Sequence, residues 1–217
     1  MLKRRWPLIC LLMLLLASSG CAPAVSEEEA SLLGETDGDK YVNRALNFTA
    51  FLPDGWQFAS DEVLEEATGL VRDTIKKETD IEPGSTVTLM LCSQNEFVIP
   101  STENNPNINI GFTNSPSTLK MLTDADLYNE FIDQYVTVFD ELYKGADNLL
   151  TGERNVQING KTYTAVYLEA SFNDGVMYQN QYYTDIGDGV LITTLTYFDR
   201  ASKDAMDTFM QNLKFEL

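Results

Sequence analysis

Three turn signals, Asn159-Gly160, Asn173-Asp174-Gly175 and Asp188-Gly189, cut the last part of the chain into lengths that strands fill. Asn-Gly and Asp-Gly pairs accept the positive backbone φ that a tight hairpin turn needs. The stretches around these turns run from Arg154 to Ile158, Lys161 to Phe172, Val176 to Asp185 and Val190 to Phe198. All are rich in β-branched and aromatic residues, which suit a pleated, half-buried surface. Consecutive strands joined by tight turns can only be antiparallel neighbours, so this region is predicted to be a meander forming the centre of a sheet.

The preceding sequence supplies the remaining layers. Asn47 to Leu52 alternates like a strand, and the turn Pro53-Asp54-Gly55 leads into Trp56-Gln57-Phe58, so the domain is predicted to open on paired strands. Ser60 can cap a helix in which Val63, Ala67, Leu70, Val71 and Ile75 follow helical spacing. Val87 to Cys92 reads as a buried strand with Asn107 to Phe112 as its neighbour. Thr123 with Asp126 is a capping-box-like start for a helix bearing Tyr128, Phe131, Ile132, Tyr135, Val138, Phe139 and Leu142 on one face. A final helix, capped by Ser202, turns Met206, Phe209, Met210 and Leu213 inward. The predicted fold class is α+β, a mostly antiparallel sheet covered by helices.

Residues 1–20 have the grammar of a signal peptide. Lys3-Arg4-Arg5 is basic, Leu8 to Leu16 is almost wholly apolar, and Ala17 to Gly20 are small. The apolar run falls well short of the roughly 20 residues of a membrane-spanning helix. Ser18-Ser19-Gly20-Cys21 resembles the lipobox of bacterial lipoproteins, which implies cleavage before Cys21 and acylation of its thiol. A cut after Ala22-Pro23-Ala24 is the alternative. Residues 21–44 are read as an acidic flexible tether, and 45–217 as one globular domain. Glu35, Asp37 and Asp39 begin like a calcium loop, but Lys40 and Leu46 stand where a glycine and a ligating residue are needed. The expected location is the extracytoplasmic face of the cell membrane, reached through the lipid.

Phe48-Thr49-Ala50-Phe51-Leu52-Pro53-Asp54-Gly55-Trp56 is similar to the opening strand and turn of the PsbP-like fold. Gly189 to Thr194, continuing through Ser202 to Phe215, resembles its last strand and C-terminal helix. The resemblance implies an α/β/α sandwich over residues 45–217 and relatives that mostly bind proteins. It transfers no site residue, because Pro53 and Gly55 set a turn and Trp56 packs in a core.

The chemistry available is narrow. The chain has no histidine, so it lacks the usual general base, the partner that activates a serine and the commonest metal ligand. No cofactor and no metal site is expected. Cys92 is the only cysteine of the predicted domain and reads as a small core residue. With 15 basic against 33 acidic residues and a net charge of -18, the chain would be repelled by nucleic acid and by anionic lipid headgroups. Tyr163, Tyr167, Tyr178, Tyr182, Tyr183 and Tyr197 are the candidate binding surface, since tyrosine joins a rigid apolar body to a polar tip. Packing within the sheet is the competing role. The leading functional expectation is a non-catalytic, lipid-anchored module that binds an envelope protein. A small-ligand binder serving a transporter or sensor comes second, and a carboxylate-dependent enzyme third.

Overall fold

The computed structural model describes residues 32–60, 62–64, 86–96, 104–143, 145–173 and 175–216. The leader, Cys21 and most of the first predicted helix lie outside them. The start of that helix is present: Val63 N–H donates to Ser60 Oγ at 3.3 Å, as a Ser cap requires.

Eleven described strands form two sheets. A four-stranded sheet has the order β1 (Glu35–Asp37), β2 (Lys40–Asn43), β3 (Phe48–Phe51) and β11 (Lys214–Phe215). The seven-stranded sheet runs β4 (Gln57–Phe58), β5 (Val87–Ser93), β6 (Asn107–Thr113), β10 (Val190–Tyr197), β9 (Gly175–Asp185), β8 (Lys161–Phe172) and β7 (Asp147–Ile158). Every described pairing is antiparallel. The helices are α1 (Pro116–Thr123), α2 (Ala125–Leu142) and α3 (Arg200–Asn212). The predicted α+β class is therefore the observed one.

The large sheet is buried on both faces, each through one parity of its strands. On the front, Ile108, Ile110, Leu191, Leu195 and Tyr163 pack under Met206, Phe209 and Met210 of α3 and under Tyr41, Phe48 and Ala50 of the small sheet. Cys92 is fully buried in this layer, and Trp56 joins it, as the sequence predicted. On the back, Val166, Leu168, Met177, Tyr183 and Ile192 pack under Tyr128, Tyr135 and Phe139 of α2 and under Tyr143 at its C-cap. Four aromatics spaced four residues apart, Phe131, Tyr135, Phe139 and Tyr143, form a continuous ladder along α2 with centroids 4.2, 5.4 and 5.8 Å apart.

Several details differ from the sequence reading. The stretch taken as tether is structured from Glu35 onward, as a hairpin turning at Gly38, whose φ is +63°. It is held by Tyr41, 2% exposed, whose hydroxyl accepts from Gly34 N–H at 2.8 Å, and by Asn43, which binds Leu32 O and Leu46 N–H. The two opening strands do not pair with each other: β3 joins the small sheet and β4 the large one. Helix α1 was not predicted. Its start, Ser115-Pro116, puts proline where the missing N–H costs nothing. Asp124, not Thr123, caps α2, accepting from Asp126 and Leu127 N–H at 2.9 and 3.2 Å. Asp199, not Ser202, caps α3, and Ser202 N–H and Oγ–H both donate to its carboxylate at 2.8 Å.

The meander follows its turn chemistry. Asn159 and Gly160 have φ of +48° and +76°, the pair of positive values an Asn-Gly hairpin takes. In the β9–β10 turn the positive φ falls on Gly187, at +94°. Gly189 serves a different need, because a Cβ there would lie 2.5 Å from Thr113 O and 2.6 Å from the Phe112 ring. Strand β7 starts seven residues before its predicted beginning at Arg154 and carries a bulge between Glu153 and Val156, where Asn155 has φ +62°. The bulge explains why simple alternation failed to show the strand as one unit.

Candidate functional site

Strand parity divides the six candidate tyrosines. Tyr163 and Tyr167 on β8, Tyr178 and Tyr182 on β9, and Tyr197 on β10 all point to the front of the large sheet. Tyr183, next to Tyr182, points to the back and lies among the α2 aromatics. Its hydroxyl is 2.7 Å from that of Tyr135 and donates to Gln181 Oε1. Tyr183 is thus a core residue and drops out of the candidate surface.

The five front tyrosines form a lane of two contacting groups across three strands. Tyr163 and Tyr167 meet Tyr182 edge to face, with centroids 5.9 and 6.2 Å apart. Tyr178 stacks on Tyr197 at 5.2 Å with 12° between the rings. Such pairs fix ring orientation and contribute about 0.5–1.5 kcal/mol each beyond area burial. Exposure then grades along the lane. Tyr163, Tyr182 and Tyr197 are buried at 2%, 7% and 8%, whereas Tyr167 and Tyr178 are half-buried. The predicted six-residue surface is therefore two accessible rings on a base of three buried ones.

The reason is the length of what lies over the sheet. Helix α3 and the small sheet cover the front of β5, β6 and β10, and the cover thins toward β8 and β7. On β7 the front residues Leu149, Thr151 and Glu153 are exposed, with Leu149 at 60%. Each faces a β8 partner in register: Leu149 with Glu169, Thr151 with Tyr167, Glu153 with Ala165. These β7 residues, with Leu149 foremost, were not singled out from the sequence. The longer strand and its bulge were needed to place them.

The polar rim is mostly acidic. Tyr167 O–H donates to Glu153 Oε2 at 3.4 Å, and Tyr197 O–H to Asn180 Oδ1 at 3.4 Å. On α3, Lys203 Nζ pairs with Asp207 Oδ2 at 2.6 Å. Burial, reinforced by the Glu153 carboxylate, raises the Tyr167 hydroxyl above its ordinary value. Burial likewise raises Tyr182, and it raises Tyr197 against the opposing pull of Lys203. These hydroxyls remain neutral donors and acceptors through the physiological range. The lane offers apolar ring faces, hydroxyl and amide groups, and carboxylates at its border. Among the described residues no group of three or more His, Cys, Asp and Glu side chains could hold a metal ion. No described helix is long and apolar enough to cross a membrane.

No family model and no curated protein matches the chain. Among solved structures it is similar to cyanobacterial PsbP (CyanoP) from Synechocystis sp. PCC 6803, with 16% identity and a TM-score of 0.49 over 91% of this chain and 98% of that one. It is also similar to LpqN of Mycobacterium tuberculosis, a protein involved in cell envelope biogenesis, with 11% identity and a TM-score of 0.41 over 78% and 83% of the two chains. A third similar structure, from Bacteroides thetaiotaomicron, covers 84% of this chain and 50% of its own, with 12% identity and a TM-score of 0.41. Similarity at this level assigns neither family nor function.

Proposed function

We propose that the chain is an extracytoplasmic, lipid-anchored module of the PsbP-like kind that binds an envelope protein and performs no turnover chemistry. The observation that carries this reading is the uncovered end of the tyrosine lane. Tyr167, Tyr178 and Leu149 leave apolar surface open beside carboxylates, on a sheet that is otherwise covered on both faces. A rigid aromatic surface with a polar border suits a protein partner, because little side-chain freedom is lost when it is covered. The location rests on Ser18 to Cys21 and the apolar run before it. A tether holds the surface near other envelope components and raises their effective concentration, so a modest interface can stay occupied.

Crosslinking in intact cells followed by mass spectrometry tests the reading. One dominant envelope partner is expected, with capture weakened by Tyr167→Ser and Tyr178→Ser. Cys21→Ser should release the chain from membranes and reduce capture further. Recovery of no partner, together with micromolar binding of a sugar or peptide by the purified chain, would replace this function with that of a small-ligand binder.

A further inference from the structure

The binding reading leaves open how a partner would engage, and the edge of the large sheet supplies an answer. Strand β7 is the last in the strand order and pairs, among the described residues, with β8 alone. From Asp147 to Glu153 that pairing runs in unbroken register, Asp147 with Ser171 through Glu153 with Ala165, before the bulge interrupts it. Edge strands are usually guarded by proline, lysine, a short length or a bulge, because their free N–H and C=O groups template further strands. The segment Asp-Asn-Leu-Leu-Thr-Gly-Glu contains no proline and no lysine, and the bulge lies at its far end. It also carries Leu149, the most exposed of the large hydrophobic residues described.

The side chains beside this edge specify a sign. Asp147 and Glu153 close the two ends of the exposed front row, and Glu169 stands opposite Leu149 on β8. The nearby cation, Arg154, is engaged elsewhere: its Nη2 donates to Leu122 O and Thr123 O at the end of α1, and its guanidinium lies over the Tyr128 ring. The front row is therefore acidic at both ends and apolar in the middle. A second copy of the chain is a poor match, since antiparallel self-pairing centred on Leu150 would set Asp147 against Glu153 twice, between molecules of net charge -18.

Resting on the binding reading above, we propose that the edge of β7 from Asp147 to Glu153 receives an extended segment of the partner protein as an added strand, whose front-facing residues, two apart, are a lysine or arginine, two apolar residues and a second lysine or arginine. The main chain of that segment satisfies the free edge of β7. The two apolar side chains extend the row of Leu149 and Thr151, and the two cations meet Asp147 and Glu153 at its ends.

A seven-residue synthetic peptide, Lys-Thr-Val-Thr-Val-Thr-Lys, which carries the two lysines and two valines on one face, is the probe, used with the full chain. Its binding should slow hydrogen exchange at residues 147–153. N-methylation of every peptide amide, which preserves charge and side chains, should weaken binding by at least about tenfold, and the same peptide with glutamate in place of both lysines should not bind. Asp147→Asn combined with Glu153→Gln, both exposed, should weaken binding of the lysine-ended peptide by about tenfold while leaving the fold intact. Equal binding by the N-methylated peptide would overturn strand addition, as would protection confined to Tyr167 and Tyr178. Absence of binding by any of these peptides would also overturn it. In each case the tyrosine-face reading stands or falls separately, on the in-cell capture.

Discussion

Tyr167 and Tyr178 share a face with Tyr163, Tyr182 and Tyr197, yet only the first two keep appreciable surface, and the difference lies in what reaches over them. Which face each tyrosine takes follows from strand parity, so the separation of Tyr183 from Tyr182 was within reach of sequence once β9 was delimited. Which end of the lane stays open was not, because it depends on where α3 and the small sheet stop. Burial of these rings makes an alkaline prediction. Burial raises the Tyr163 hydroxyl from 10.0 to about 12, and it raises Tyr135 and Tyr183 in the same direction. A raised folded value means that the neutral form binds its proton more tightly in the folded state, so the contribution is full below the unfolded value and lost as pH rises through the folded one. Stability should therefore fall between pH 10 and about 12. Tyr163→Phe should make that fall shallower, by on the order of 2 kcal/mol across the window. Urea unfolding at a series of pH values measures it, and an unchanged slope would contradict the burial argument.

Element boundaries show where local signals suffice. Lys161–Phe172 and the turn before it are encoded in Asn159-Gly160 and the β-branched runs, and the observed strand has the predicted ends. Caps were misassigned by a few residues because Thr123 and Ser202 sit close to the carboxylates that do cap, Asp124 and Asp199. Asp199→Ala should destabilise by about 1 kcal/mol, the usual value for a lost N-cap, whereas Ser202→Ala leaves the main-chain donor to Asp199 intact and should cost less. The Ser202 N–H bond lowers the Asp199 carboxyl below its ordinary value of 3.8, so the cap acts above that pH and is lost as pH falls through the lower folded value. Thermal melts of the two variants at pH 7 and at low pH should differ at pH 7 and converge in acid. The β1–β2 hairpin gives a further prediction. A chain beginning at Leu32 should fold like the parent, whereas one beginning at Ala45 loses Tyr41 and Asn43 and should be destabilised by about 3 kcal/mol or more. Denaturant midpoints of the two truncations decide this, and equal midpoints would restore the hairpin to the tether.

On the scale of the molecule, the two-sided burial of one antiparallel sheet was legible in the sequence as strands followed by amphipathic helices. The second, smaller sheet was not, because it joins β1, β2 and β3 to β11 at the other end of the chain, and no local pattern encodes that closure. The same closure sets how far the front layer extends and so leaves the lane open toward β7. The central claim is that this open end is where the protein is bound. A photo-crosslinking amino acid placed in intact cells at Thr151, beside Tyr167, tests it most directly, with the same group at Glu130 on the exposed side of α2 as the comparison. The account predicts one crosslinked protein from Thr151, little or none from Glu130, and loss of the Thr151 product when Tyr178→Ser is added. Crosslinking from Glu130 alone, or equal crosslinking from both positions that ignores Tyr178→Ser, would contradict it.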